Sequence, residues 1–414
     1  MRTSSIRRSR ARVTASAALG MLLVGIASAP AHAEGVRDRQ WHLTAMGAEK
    51  IWQLSTGKGV TVAVIDSGVD QRNPDLRGQI LKGKDLAPDE EGDEFTDYTG
   101  HGTGMAGLIA GTGEADGGNG AFGLAPGAKI LPVRVPGSGG GNKSQAQADR
   151  EFNRYMPEAI RFAADAGAKV INISQGVTTG SQQLTDAVKY ALDKGALVFA
   201  AVGNTGDKSN KLEYPGATPG VVGVGAVDQK VKHVPMSQIG PQVDIAAPGS
   251  DMVAACGTGI CTSTGTSDAS ALASAAAALV WSKHPDWTNN QVLKVMLNTI
   301  SSPTEGPKRS DFIGYGAIRP LRMLKTPGDP GPADVRPIDD LKEIAAGTPS
   351  ASTSATDPSS SSPAPSESSA APAPAPQAAA EDSGNTGLWI GLGIGVAVLI
   401  GAAVAVFVLR SRRG

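Results

Sequence analysis

An acid, a base and a hydroxyl stand at three sharp turns of this chain, each bounded by glycine. Val64-Ile65-Asp66-Ser67-Gly68 closes an apolar run with a carboxylate, and Gly100-His101-Gly102-Thr103-Gly104 presents an imidazole at a helix start. Gly265-Thr266-Ser267-Asp268-Ala269-Ser270 delivers a serine to the head of an apolar segment, Ala269 to Trp281, that reads as a buried helix. A serine hydroxyl is a weak nucleophile at neutral pH. It needs a base within hydrogen-bond reach, and the base needs an acid that holds its tautomer. Among the chain's five histidines only His101 has this glycine setting. The charge that develops on a substrate oxygen also needs donors: the side-chain amide of Asn204, in Ala201-Val202-Gly203-Asn204, and the backbone N–H of Ser267 at a helix start. Taken singly, an aspartate after a strand and a Gly-Asn pair are turn formers, and most isolated histidines are surface or core groups. Together, Asp66, His101, Ser267 and Asn204 point to nucleophilic hydrolysis.

The elements that must carry these residues alternate. Val60 to Ile65, Ile130 to Val135, Val170 to Ser174, Leu197 to Val202 and Val221 to Val227 are short, apolar and often β-branched. Helical stretches are expected over Gly104 to Ala110, Met156 to Ala166 and Leu184 to Lys194. Continuous apolar strands between helices predict an α/β fold, a mostly parallel sheet with helices on both faces. In such sheets functional groups collect beyond the carboxyl ends of the strands, where Asp66, Ser174 and Asn204 fall.

The chain has 414 residues, a formal net charge of −1, 53 glycines and 4% aromatic residues. This balance carries no electrostatic footprint for nucleic acid. Residues 1–33 read as a signal peptide: Arg2, Arg7, Arg8, Arg10 and Arg12, then an apolar run from Ala15 to Ala27, then the small-x-small site Ala31-His32-Ala33. The globular part is expected over 34–325, with a short N-terminal extension. Residues 326–386 show no helical or strand period and are rich in Ser, Ala and Pro, as in a disordered stalk. A transmembrane helix is expected over 387–409. Residues 388–409 carry no charge and as a helix would span roughly 33 Å, a bilayer core. Arg410, Arg412 and Arg413 place the 410–414 tail in the cytoplasm by the positive-inside rule. The expected location is the cell membrane, single-pass, with the globular part extracytoplasmic. Export permits a disulfide between the only two cysteines, Cys256 and Cys261, which would fix the loop leading into Ser267. The plainer alternative is two buried small side chains.

Asp66-Ser67-Gly68, His101-Gly102-Thr103, Gly203-Asn204 and Gly265-Thr266-Ser267, in that order, resemble the motifs of the subtilisin-like serine proteases, the subtilases. Asn172-Ile173-Ser174, Tyr214-Pro215-Gly216 and Ala247-Pro248-Gly249 also match, so the resemblance covers roughly residues 40–325. It implies a subtilisin-like fold and peptide-bond hydrolysis of protein or peptide substrates. It implies that Ser174, Gln175 and Gly176 line the primary specificity pocket, and that substrate backbone adds as a strand at Val135, Gly137 and Gly139. Two positions depart from the family pattern: Ala271 where a proline is usual, and Asp268 directly after the nucleophile. A carboxylate there is expected to raise the pKa of the base or to repel acidic substrates.

The whole arrangement of leader, protease, stalk, single helix and Arg tail is similar to the mycosins, membrane-anchored subtilases of actinobacterial type VII secretion systems. Gln40-Trp41-His42-Leu43 and Lys58 to Asp66 are similar too. This implies a serine endopeptidase associated with type VII secretion, with secretion-system membrane components as partners. The competing readings are a mainly structural component of the machinery with dispensable proteolysis, and a general cell-surface protease. Asp66 falls 33 residues after Ala33, which leaves no room for an inhibitory folding prodomain. No cofactor is implied. Asp85, Asp89, Glu90, Glu91, Asp93, Glu94 and Asp97 are rich in oxygen ligands, but their spacing singles out no calcium site and reads as a solvated acidic loop. No zinc-ligand spacing occurs, and Gly137 to Gly141 reads as a flexible rim of the cleft.

Overall fold

The computed structural model describes residues 35–137, 144–301 and 308–341. Three short helices open it: α1 (Val36–Arg39), α2 (Trp41–Met46) and α3 (Ala48–Trp52). There follow β1 (Thr61–Asp66), β2 (Lys84–Asp85), α4 (His101–Ala110), β3 (Lys129–Arg134), α5 (Gln145–Asp165) and β4 (Val170–Ile173). Next come α6 (Gln182–Asp193), β5 (Leu197–Ala201), β6 (Val222–Val227), β7 (Ile245–Pro248), β8 (Met252–Cys256) and β9 (Gly259–Ser263). The described chain then runs through α7 (Thr266–Lys283), α8 (Asn289–Thr299) and α9 (Pro320–Lys325). Seven strands form one sheet in the order β2-β3-β1-β4-β5-β6-β7 with every pair parallel, while β8 and β9 form a separate antiparallel hairpin.

β1 lies at the centre, hydrogen-bonded to β3 on one side and β4 on the other. The chain leaves β1 toward β3 and returns beyond it to β4, so Asp66 ends the strand at which the winding reverses. Such a switch point opens a crevice at the strand ends. One sheet face packs against α4, α7 and α8, and the other against α5 and α6.

α7 is buried from Thr266 to Trp281. A helix apolar on all sides belongs in the interior, and alanine at 269, 271, 273 and 275–278 supplies high helix propensity with side chains small enough for close approach to the sheet. Its polar positions are answered by the sheet. Asn172 of β4, fully buried, accepts from Ser270 Oγ at 2.8 Å and Ser274 Oγ at 3.1 Å and donates to Ser174 Oγ at 3.0 Å. A second long-range clamp sits at the N-terminal extension. Buried Gln40 donates to Phe122 O and Val253 O and accepts from Phe122 N. Beside it, burial above all, with the Arg37 charge, lowers the pKa of His42 to about 3, so this imidazole is a neutral core group.

Two expectations need correction. The helix expected from Met156 begins eleven residues earlier, at Gln145: Ser144 and Gln147 form a reciprocal capping box, and the chain passes through Pro157 without ending. Pro157 lies inside the helix rather than at its start. The stretch from residue 326 to Leu341, expected as the start of a stalk, is also ordered against the domain. Arg336 bonds to Gly220 O and Asp340, Asp340 accepts from Gly220 N, and Ile338 is 6% exposed, so the chain to Leu341 is packed on the domain. The leader (1–33), the remainder of the expected stalk, the apolar 388–409 run and the Arg tail lie outside the described residues. Among the described residues no helix is long and apolar enough to cross a membrane.

Asn172→Ala strips partners from three buried hydroxyls at once. It is expected to destabilise the domain by about 2–4 kcal/mol. Thermal unfolding of the variant checks this, and an unchanged midpoint would contradict the clamp.

Candidate active site

Asp66 ends β1 and is fully buried. Its Oδ1 meets His101 Nδ1 at 2.7 Å and accepts from Ser67 N at 2.8 Å. A carboxylate can only accept, so the imidazole proton sits on Nδ1 and leaves Nε2 as the basic nitrogen. The contact requires α4 to begin directly against the strand end. Gly102 permits it: a Cβ there would lie 2.2 Å from Gly68 O and 3.0 Å from Asp66 Cβ.

The start of α4 has no capping side chain of its own, because its N-cap is Gly100. Asp97 does that work from outside the helix. Its Oδ1 accepts from Gly100 N at 2.9 Å and its Oδ2 from Thr103 N at 2.8 Å, which satisfies orphan donors and places negative charge at the helix's positive end. Ser67 Oγ joins Asp97 to Asp66, at 2.9 and 3.2 Å. The Asp66 charge, opposed by desolvation and aided by its hydrogen bond and by Asp268 and Asp97, raises the pKa of His101 to about 9.

Ser267 lies in the first turn of α7 and is 8% exposed. Its Oγ donates to Ser174 O at 3.2 Å, and Ser174 Oγ returns a bond to Ser267 O at 3.3 Å. Ser267 therefore faces the cleft alongside His101 with its hydroxyl engaged by Ser174; catalytic hydrogen bonds are often formed only once substrate is bound. Thr266 organises the far wall. Its N–H and Oγ1 both donate to Asn204 Oδ1, at 2.9 and 3.1 Å, and its Oγ1 accepts from Gly203 N at 3.2 Å. A backbone N–H can face only an acceptor, so the amide oxygen of Asn204 is fixed toward Thr266 and its NH2 group is the free end.

Asp66, His101, Gly137, Ser174, Gln175, Gly176, Asn204 and Ser267 line one cleft of about 420 Å³. Val135 does not line it: its side chain is 3% exposed within the core, and its N–H is taken by Asp66 O at 2.9 Å. Gly139 lies outside the described residues. Cys256 and Cys261 are joined as a disulfide across the β8–β9 hairpin, which packs against α4. Ser263 of that hairpin donates to Asp268 Oδ1 at 2.5 Å. Asp268 is thus turned from the cleft and 2% exposed, which removes the contact by which it was expected to repel acidic substrates. Its effect on the base remains, because its field adds to the rise at His101 while burial lifts its own pKa to about 6. Ala271 is a fully buried part of the helix.

Sequence reasoning missed Asp97, Thr266 and Arg134. Arg134 is 1% exposed at the end of β3; its guanidinium bonds Glu91 O at 3.0 Å and Glu90 at 3.3 Å, lies 3.6 Å from Asp85, and sits over Tyr98. The acidic loop before His101 is therefore latched by a buried cation rather than simply solvated. Among the described residues no group of three or more His, Cys, Asp or Glu is placed to hold a metal ion.

Comparison with known proteins agrees with this geometry. The model of the subtilase family (peptidase S8) matches residues 57–316. The chain belongs to the subtilase family. The thermophilic serine proteinase of Bacillus sp. (strain AK1) is 40% identical over 203 residues, covering 49% of this chain and 47% of that protein; the match thus spans about half of that relative's length. The solved structure of the MycP3 protease from the type VII (ESX-3) secretion system is 33% identical with a TM-score of 0.60, over 69% of this chain and 88% of that one. A chain in the periplasmic assembly from the ESX-5 inner membrane complex is 27% identical with a TM-score of 0.63, over 72% and 86%. The subtilisin-like α/β fold and the likeness to mycosin proteases of type VII secretion systems follow from these matches.

Asp66→Asn removes the main charge that favours the imidazolium. The His101 pKa is therefore expected to fall from about 9 toward the ordinary histidine range. Proton NMR titration of the ring checks this, and an unmoved titration would contradict the pairing.

Proposed function

We propose that this chain is a membrane-anchored, extracytoplasmic serine endopeptidase working with a type VII secretion system. The observation that carries the chemistry is the 2.7 Å contact between buried Asp66 and His101 in the same cleft as Ser267. In this reading Ser267 Oγ attacks the peptide carbonyl carbon and passes its proton to His101 Nε2. The free Nδ2 of Asn204 and the N–H of Ser267, which as an early N–H of α7 has no intrahelical acceptor, donate to the carbonyl oxygen as it becomes negative. His101 returns the proton to the departing amine as the C–N bond breaks, leaving an acyl-Ser267 that water hydrolyses by the same steps. Asp66 holds the ring and balances its charge throughout. With the His101 pKa at about 9, the neutral base gains population as pH rises toward that value, so the acid limb of activity reports His101.

The secretion assignment rests on the matches to the MycP3 protease and the ESX-5 assembly and on the sequence ends. The leader supports export, the uncharged 388–409 run supports a membrane anchor, and the arginines after it support a cytoplasmic C-terminus. The ESX-5 match also favours a second role, as a structural component of a membrane assembly that does not depend on cleavage.

One variant separates these readings. Ser267→Ala is expected to lower peptide hydrolysis by at least about a thousandfold with folding retained. Undiminished hydrolysis by the purified variant would overturn the nucleophile assignment. In cells, secretion that is lost in a gene deletion but normal in Ser267→Ala marks the assembly role as dominant, and secretion lost in both marks proteolysis as essential.

A further inference from the structure

The cleft holds a carboxylate that the chemistry above does not use. Glu213 lines it together with Ser174, Gln175, Gly176, Gly203 and Asn204. Its backbone is fixed on both sides. Its carbonyl accepts from Ala217 N at 2.9 Å, and its neighbour Tyr214 exchanges backbone hydrogen bonds with Val177 at 2.7 and 3.0 Å. That antiparallel bridge ties the Glu213 segment to the Ser174–Gly176 segment, so the two are adjoining walls. The side chain is fixed as well: Oε1 accepts from Gln238 Nε2 at 2.9 Å, and Gln238 is held in turn by Thr205 Oγ1 at 3.0 Å.

The carboxyl group occupies room left by two residues without side chains. A Cβ on Gly176 would lie 3.1 Å from Glu213 Oε2, and one on Gly203 would lie 2.7 Å from Glu213 Cδ. Oε2 is therefore presented between the two glycine walls. It has no hydrogen-bond donor among the described residues, and no lysine or arginine among them pairs with this carboxylate. Burial pushes the Glu213 carboxyl up from its ordinary range, the mark of an acid whose surroundings supply too little compensation for its charge.

We propose that Glu213 is the specificity-determining residue of this cleft and selects substrates with a basic side chain, arginine or lysine, immediately before the scissile bond. The inference deepens the protease reading and rests on it. A guanidinium or ammonium group seated between Gly176 and Gly203 would supply both the missing charge and the missing donor to Oε2. An apolar side chain would desolvate the carboxylate without replacing its partners, and an acidic one would add like charge. The neutral amide of Gln238 satisfies one oxygen and leaves the other for the substrate.

The test uses the full chain and a peptide series that differs only at the residue before the cleaved bond: Arg, Lys, Gln, Leu or Glu. Casein cleavage, with Ser267→Ala as its control, runs in parallel. Arg and Lys peptides are expected to exceed Leu in kcat/KM by at least about tenfold, and Glu213→Gln to lower the Arg-to-Leu ratio by roughly 10–100-fold. The ratio is internal to one preparation, so it does not depend on how much of the variant folds. The parent chain gives a reading without any variant, because benzamidine is expected to inhibit it competitively. A preference for Leu, or a ratio unmoved by Glu213→Gln, overturns the inference, while Ser267-dependent casein cleavage keeps the protease reading. Casein cleavage that is absent, or that survives in Ser267→Ala, overturns both.

Discussion

The hydrogen bond between Asp66 and His101 is the contact around which the domain is arranged. A fully buried carboxylate at a strand end is costly unless it is paired, and its partners come from Ser67 and from the first residue of α4. Bringing α4 that close needs a glycine at 102 and a helix start capped from outside by Asp97. Asp97 sits at the end of a loop that the buried Arg134 guanidinium holds down, and Arg134 ends β3, the strand beside β1. The acid, its base and the supports of both thus close into one circuit at the crevice where the sheet reverses its winding.

The serine reaches this circuit by a separate route. α7 is buried along almost its whole length, and its position is set where its few polar side chains meet the sheet at Asn172. Its first residue, Thr266, then aligns Asn204, so the same helix start carries Ser267 and orients the candidate oxyanion donor. The β8–β9 hairpin connects the two routes: it packs against α4, carries the Cys256–Cys261 disulfide, and holds Asp268 through Ser263. The carboxylate after Ser267 is drawn out of the cleft, and only its field acts on His101.

The residues legible in the sequence were those at abrupt local changes. Asp66, His101, Ser267 and Asn204 each follow or precede an apolar run at a glycine, and such a turn needs no knowledge of the rest of the chain. The strand cores were legible for the same reason: a parallel sheet buried on both faces leaves continuous apolar segments. Asp97, Arg134, Thr266 and Glu213 were not legible in these roles. Arg134 meets Glu90 across 44 positions, and Thr266 meets Asn204 across 62, so no local period marks either pair. The first half of α5 was hidden because Pro157 reads as a boundary, although Ser144 and Gln147 carried the capping signal. The packed segment to Leu341 was hidden because scattered long-range contacts rather than any repeat attach it, among them Arg336 to Gly220 O, Gly220 N to Asp340 and Gln291 to Gly331 O.

The Asp66–His101 pair is proposed to make Ser267 uncommonly nucleophilic. An alkyl fluorophosphonate tests it most directly, because it reacts covalently only with an activated serine, and peptide mass spectrometry reads the site. One adduct is expected on the native chain, at Ser267, with its loss in Asp66→Asn and in His101→Ala. An adduct elsewhere, or equal labelling of Ser267 in those two variants, would contradict it.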